Sequence, residues 1–228
     1  MRRGTARAAA LLVGLVGYGF SMAVMVQANL GLDPCDVFHQ GLAERTGTTI
    51  GAATAVVGVV VLLAWIPLRN RPGIGTVANV VVIAVVVDLG IAVLPAPDAM
   101  GIRVAMMLGA VALNAISTVL YIGAGLGPGP RDGLMTGLVA RTGLSVRVVR
   151  TSIEATVLAV GWLLGGTVGV GTVIYALGIG PLVQLVLKWT PRRWLAVSGW
   201  AFVPPRLTTM GECPESETSQ KKRSTQTC

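Results

Sequence analysis

Residues 31–47 of this chain, Gly31-Leu-Asp-Pro-Cys-Asp-Val-Phe-His-Gln-Gly-Leu-Ala-Glu-Arg-Thr-Gly47, return in altered form 96 positions later as Gly127-Pro-Gly-Pro-Arg-Asp-Gly-Leu-Met-Thr-Gly-Leu-Val-Ala-Arg-Thr-Gly143. Eight of the seventeen positions agree: Gly31/Gly127, Pro34/Pro130, Asp36/Asp132, Gly41/Gly137, Leu42/Leu138, Arg45/Arg141, Thr46/Thr142 and Gly47/Gly143. The same offset pairs Gly73 with Gly169, Gly75 with Gly171 and Thr76 with Thr172, without a gap. The chain is therefore two copies of one unit, and a repeat of this kind constrains the architecture before any single residue does. The first copy occupies 1–96 and the second 97–190, leaving 191–228 outside the repeat.

Composition fixes the solvent. Charged residues make up 12% of the chain and hydrophobic residues 53%, with a mean hydropathy of +0.73. A soluble domain carries about 25% charged residues, so this chain cannot cover itself with a polar surface. It does contain apolar runs long enough to cross a bilayer. The expected class is an all-α polytopic membrane bundle, because backbone in lipid must satisfy its own hydrogen bonds. A β-barrel is disfavoured by runs that are long and lack alternation.

Six spans are expected, at about 8–29, 48–68, 74–94, 102–124, 147–166 and 168–189. The basic start, Met1-Arg-Arg-Gly-Thr-Ala-Arg7, resembles a signal peptide, but cleavage would remove one repeat's first helix, so retention as an anchor is expected. The repeated string is too short and too polar to cross. It reads as a short helix over 36–46 and again over 132–142, with Asp36 and Asp132 as N-caps. Arg45 and Arg141 fall in the last turn, at the negative end of the dipole, and Gly47 and Gly143 supply a left-handed C′ residue. Such a helix either re-enters the membrane, with its N-terminus aimed at the midplane, or lies on the surface. After Thr190, Trp194 and Trp200 suggest an interfacial segment, and the polar end from Pro204 suggests a disordered cytoplasmic tail.

Charge supplies an orientation. Three spans per copy is an odd number, so the second copy enters from the opposite side. With both termini inside, sixteen of the eighteen Lys and Arg are cytoplasmic, and only Arg45 and Arg103 are outside. Positive residues concentrate on the cytoplasmic side. Equivalent positions are recharged to match: Cys35 aligns with Arg131, Gly51 with Arg147 and Thr54 with Arg150. This pattern predicts two inverted three-helix repeats in a bacterial-type plasma membrane. The net charge of +8 is thus assigned to topology rather than to nucleic acid, since no aromatics lie among the basic residues.

Charges inside spans are costly and mark candidate sites. Glu154 and Asp88 are two such residues, and both depart from the repeat, aligning with Gly58 and Gln184. Glu154 reads either as a proton or cation carrier or as the i,i+4 partner of Arg150. Asp88 reads as a site or as a packing hydrogen bond. Asn114, Tyr175 and Gln184 could line a pathway or join helices. Asp36 and Asp132, at the ends of the short helices, would oppose an anion and favour a cation or proton.

No metal site or cofactor is implied: Cys35, Cys213 and Cys228 lack ligand spacing, and His39 is the only histidine. The chain carries no HExxH, GxSxG, P-loop or Rossmann fingerprint, so it is not expected to be an enzyme.

Gly31-Leu32, Pro34, Asp36-Val37, Gln40-Gly41-Leu42 and Arg45-Thr46-Gly47, continued by Trp65-Ile-Pro-Leu68, Arg71-Pro-Gly-Ile-Gly-Thr76 and the echo at Gly129-Pro-Arg-Asp132, resemble the YczE branch of the YczE/YyaS/YitT family of bacterial integral membrane proteins. The likeness covers about residues 8–190 and implies a polytopic plasma-membrane protein, but no substrate. The leading functional expectation is a secondary transporter of a small molecule or ion. The alternative is a non-transporting accessory or scaffold protein. The expected partners are the lipid bilayer, an unidentified small molecule or ion, and a second copy of the chain in a homo-oligomer.

Overall fold

The computed structural model describes residues 2–70 and 72–190, and these form α-helices without strands. Six long helices are present: α1 (Arg2–Ala28), α3 (Ile50–Leu68), α4 (Ile74–Val93), α5 (Met100–Gly123), α7 (Val146–Leu163) and α8 (Val170–Trp189). Two short ones, α2 (Pro34–Thr46) and α6 (Pro130–Thr142), coincide with the repeated string. The expected interfacial segment and tail, with Cys213 and Cys228, lie outside the described residues. Every long helix except α7 is long and apolar enough to cross a membrane. The 18-residue α7 carries Arg147, Arg150 and Glu154. The chain is thus a polytopic helical membrane protein. Val56, Val59, Val60 and Leu63 on α3, with Val77, Val81, Val85 and Leu89 on α4, are exposed, an apolar surface suited to lipid.

Capping chemistry accounts for much of the repeated string, with one correction. Asp36 and Asp132 are not the N-caps. Pro34 and Pro130 occupy the first helical position, where a missing N–H costs nothing. The caps therefore fall one residue earlier, at Asp33 and Gly129, and Asp36 and Asp132 sit in the first turn. Asp33 accepts a long hydrogen bond of 3.4 Å from the Cys35 N–H. At the other end the expectation holds: Gly47 and Gly143 are left-handed, with φ of 68° and 69°, a conformation that glycine adopts without a steric penalty. Thr46 and Thr142 each donate to the carbonyl four residues back, Leu42 and Leu138, both at 2.8 Å.

The two copies are interlocked by reciprocal contacts. At one end, Arg7 near the start of α1 donates through Nε to the Ala124 carbonyl at 2.7 Å and through Nη2 to Gly125 at 2.8 Å. At the other end, Arg103 near the start of α5 donates through Nε to Ala28 at 2.8 Å and through Nη2 to Asn29. The start of each helix thus lies beside the end of the other, so α1 and α5 run antiparallel. Each guanidinium satisfies carbonyls left over at a helix C-terminus. The pairing extends to the backbone: Gly75 N–H donates to Leu126 at 2.9 Å, and Gly171 N–H donates to Leu30 at 2.7 Å. The α1–α5 pair is flanked by α4 and α8, and two apolar clusters form around it. One is built on Met25, Leu32, Val37, Met107 and Val111, the other on Leu15, Met22, Val87 and Tyr121.

The short helices cross over. Helix α2 packs against α7 of the other copy, and α6 against α3. Contact is close: a Cβ built on Gly161 of α7 would stand 2.5 Å from the Phe38 nitrogen and 2.6 Å from its Cα, both backbone atoms of α2. Gly161→Ala is therefore expected to push α2 off α7 and to lower stability by about 1–3 kcal/mol, as overpacking does. Gly109 has open space at its Cβ, so Gly109→Ala should leave stability unchanged or slightly raised. Thermal unfolding of the two variants in detergent, followed by circular dichroism, separates these outcomes.

Candidate functional site

The two short helices start at the same place. Asp33, the cap of α2, and Arg131, the second residue of α6, form an ion pair with Nη1 to Oδ2 at 3.2 Å. The other Arg131 nitrogen, Nη2, pairs with Glu154 of α7. Glu154 Oε1 also accepts from Arg150 Nε at 3.0 Å, one turn away on the same helix. Three elements from both copies thus converge on one guanidinium. Asp33 is 1% exposed, while the Arg131 and Glu154 side chains are 31% and 25% exposed.

Helix geometry fixes where along α7 the junction lies. Glu154 is the ninth of the 18 residues of α7. At 1.5 Å per residue it lies roughly 12 Å from either end. The N-termini of α2 and α6 therefore meet beside the middle of α7, not at its ends.

Other polar groups surround the junction. Tyr121 donates to Asp132 Oδ2 at 3.2 Å, and its ring stands edge-on to Tyr18 at 6.0 Å between centroids. Tyr175 donates to Asn114 Oδ1 at 3.1 Å. Asn114 Nδ2 donates to Ser21 Oγ at 3.0 Å, and Ser21 donates to the Tyr18 carbonyl at 2.7 Å. This chain ties α8, α5 and α1 together through buried groups. In α2, Asp36 is 3% exposed, and its Oδ1 lies 3.5 Å from His39 Nδ1.

Of the seven expected residues, Glu154 takes part in the junction, Asp36 and Asp132 lie in the first turns of its two short helices, and Asn114 and Tyr175 pair with each other. The other two lie elsewhere. Asp88 accepts from the Thr49 hydroxyl at 2.7 Å and the Gly51 N–H at 2.8 Å, so it anchors the start of α3. Gln184 is exposed on α8, away from the junction. A shallow groove along Arg147, Val148, Thr151 and Ser152 lies on the exposed surface of α7 and is separate from the junction. The central pair itself, Asp33 and Arg131, was missed. In the sequence Arg131 counts only among the charges read as cytoplasmic, and Asp33 carries no role of its own. One signal was available: Asp33 aligns with Gly129 and Arg131 with Cys35, so both charges are departures from the repeat within one turn of its start.

A model of a family of unknown function, DUF6198, matches residues 5–188. A relative described as an uncharacterized protein of Haemophilus influenzae is 41% identical over 178 residues, covering 78% of this chain and 82% of its own length. The uncharacterized membrane protein YczE of Bacillus subtilis is 33% identical over 177 residues, covering 76% of this chain and 82% of its own. The chain belongs to the YczE/YyaS-like family. The family's YyaS, also of Bacillus subtilis, is more distant, at 22% identity over 191 residues, 81% of this chain and 94% of its own. No solved structure matches. The residues quoted above for the resemblance now have structural roles: Asp36 lies at the YczE-like motif's buried first turn, and Trp65 donates from Nε1 to the Pro130 carbonyl at 3.0 Å, bracing the start of α6.

The ion pair generates a prediction. In a cycle of Asp33→Asn, Arg131→Gln and the double variant, the coupling energy should be about 1–3 kcal/mol, the range for contacting charged groups. It is read from unfolding in mixed detergent. A coupling near zero would mean that the guanidinium is held by Glu154 alone.

Proposed function

We propose that this protein is a secondary transporter of a small cation, protons included, and that the junction of α2 and α6 is its binding region. In this reading the bundle has six spans arranged as two inverted three-helix repeats. It sits in the plasma membrane with both termini cytoplasmic. The observation that carries the proposal is the meeting of the N-termini of two short helices, through Asp33 and Arg131, beside Glu154 at the middle of α7. Broken or re-entrant helices ending at the midplane, at the interface of inverted repeats, are the usual setting of transporter sites.

Charge selects the substrate class. Helix N-termini attract anions, but these two already carry Asp33, Asp36 and Asp132 in or next to their first turns. Of these and Glu154, Asp33 and Glu154 pair with Arg131 and Arg150, while Asp36 lies beside His39 and Asp132 accepts from Tyr121, so two carboxylates have no guanidinium partner. The excess of acid favours a cation. Glu154 has two guanidiniums on its carboxylate, so we assign it to charge pairing and assign Asp33 and Arg131 to a bridge between the repeats. Alternating access would rock one repeat against the other, exchanging this bridge for contacts to the bound ion. With Arg131 and Arg150 assigned to the junction, fourteen of the remaining sixteen Lys and Arg fall on the side read as cytoplasmic, which supports the orientation. The mutual pairing of the charges favours a second reading, a membrane accessory protein in which the junction only fastens the halves. No catalytic activity is proposed.

Flux decides between them. In proteoliposomes loaded with a pH-sensitive dye and challenged with a panel of cations, the wild-type protein should move protons with or against one of them. Arg131→Gln should reduce that flux at least tenfold with undiminished membrane abundance, whereas Gln184→Leu, on the exposed face of α8, should leave it intact. Absence of flux across the panel, together with recovery of a defined partner on mild extraction, would favour the accessory reading.

A further inference from the structure

We propose that the first turns of α7 bind the phosphate of one anionic phospholipid through Arg147 and Arg150, with the acyl chains lying against α7 and α8. The first repeat shows the same helix pair closed on itself. There α3 packs along α4. A Cβ built on Gly51 of α3 would stand 2.1 Å from the Ala84 carbonyl oxygen and 2.5 Å from the Asp88 carboxylate, and one built on Gly58 would stand 2.9 Å from Val80. Asp88 accepts from the Thr49 hydroxyl and the Gly51 N–H. The start of α3 thus receives a carboxylate from α4.

The second repeat changes each of these positions. The 96-residue offset puts Arg147 at Gly51, Arg150 at Thr54 and Gln184 at Asp88. A long side chain stands where the first repeat has no room for a Cβ, and the neighbouring helix offers an amide in place of a carboxylate. Packing changes to match: α7 leans on α2 and α6, and α8 on α5, with no comparable packing between α7 and α8. Charge reverses as well. Helices α3 and α4 carry one charged side chain, Asp88. Helices α7 and α8 carry Arg147, Arg150 and Lys188 against a single acid, Glu154, which Arg131 shares. An anion from outside the chain supplies what Asp88 supplies in the twin. Arg147 and Arg150 are exposed, and Arg147 lines a groove of about 310 Å3 with Val148, Thr151 and Ser152. A guanidinium and two hydroxyls are donors suited to phosphate oxygens. Val148 on α7 and Leu177 and Leu185 on α8 are exposed along the same pair of helices, an apolar surface for acyl chains. Basic sites on the flanks of membrane helices take anionic lipid headgroups.

The site does not depend on transport and is tested by binding. The full chain in detergent is titrated with phosphatidylglycerol or with phosphatidylcholine of the same acyl chains, and bound lipid is counted by native mass spectrometry. The wild type should take one phosphatidylglycerol at least about tenfold more tightly than phosphatidylcholine, the preference expected of two arginines. Arg147→Gln should remove most of that preference, and Arg147→Lys, which keeps the charge but loses the fork, should retain part of it. Arg45→Gln, which removes an exposed arginine from the last turn of α2, should leave it intact. Phosphatidylglycerol should also raise the unfolding temperature of the wild type more than that of Arg147→Gln, a difference that a folding defect alone does not produce. Equal affinity for the two lipids, an equal loss in Arg45→Gln, displacement of the lipid by inorganic phosphate alone, or a dimer that covers Arg147 would each overturn the lipid site.

Discussion

A guanidinium packed between the helices of an apolar bundle must find its counter-charge in the protein, and Arg131 finds two. Asp33 and Glu154 reach it from different elements, one at the cap of α2 and the other halfway along α7. The rest of the arrangement follows from that requirement. Removing a buried charge's partner is far more costly than never having the pair, so α2, α6 and α7 are held to one point. The crossing of the short helices onto the opposite copy's long ones, α2 on α7 and α6 on α3, follows from the same convergence.

Symmetry and its violations divide the work. Positions shared by both copies build the frame: glycine at the left-handed helix ends, threonine back-bonded to the preceding turn, and glycine N–H groups donating to Leu30 and Leu126. Positions that differ build the junction. Asp33 stands opposite Gly129, Arg131 opposite Cys35 and Glu154 opposite Gly58. A duplicated scaffold with an unsymmetrical centre can present different chemistry to its two sides while keeping one set of packing rules.

Much of the frame was legible in the sequence because it is local. Apolar runs, glycine stops and terminal arginines act within a helix, and a one-dimensional reading captures them. The Arg150–Glu154 pair was legible for the same reason, being one turn apart. The Asp33–Arg131 contact was not, because it joins residues 98 positions apart in opposite copies. The first-turn acids illustrate the limit within a single turn: an N-cap reading chose Asp36, but proline's fixed backbone at the first helical position moves the cap to Asp33. Asp88 shows the converse. Its burden as an acid in an apolar helix was visible, but the two groups it serves, the Thr49 hydroxyl and the Gly51 N–H, belong to another helix.

The exchanged arginines bear on biogenesis. The carbonyls of Ala28 and Asn29 end α1, yet the group that satisfies them, Arg103, is translated 75 residues after Ala28. Those of Ala124 and Gly125 wait for no later residue, since Arg7 is already in place when they leave the ribosome. The first half therefore enters the bilayer with an unfinished end and the second with a finished one. Maturation of the nascent chain is ordered by its own covalent sequence, and a half-length product would hold α1 in lipid with its terminal peptide groups still seeking water.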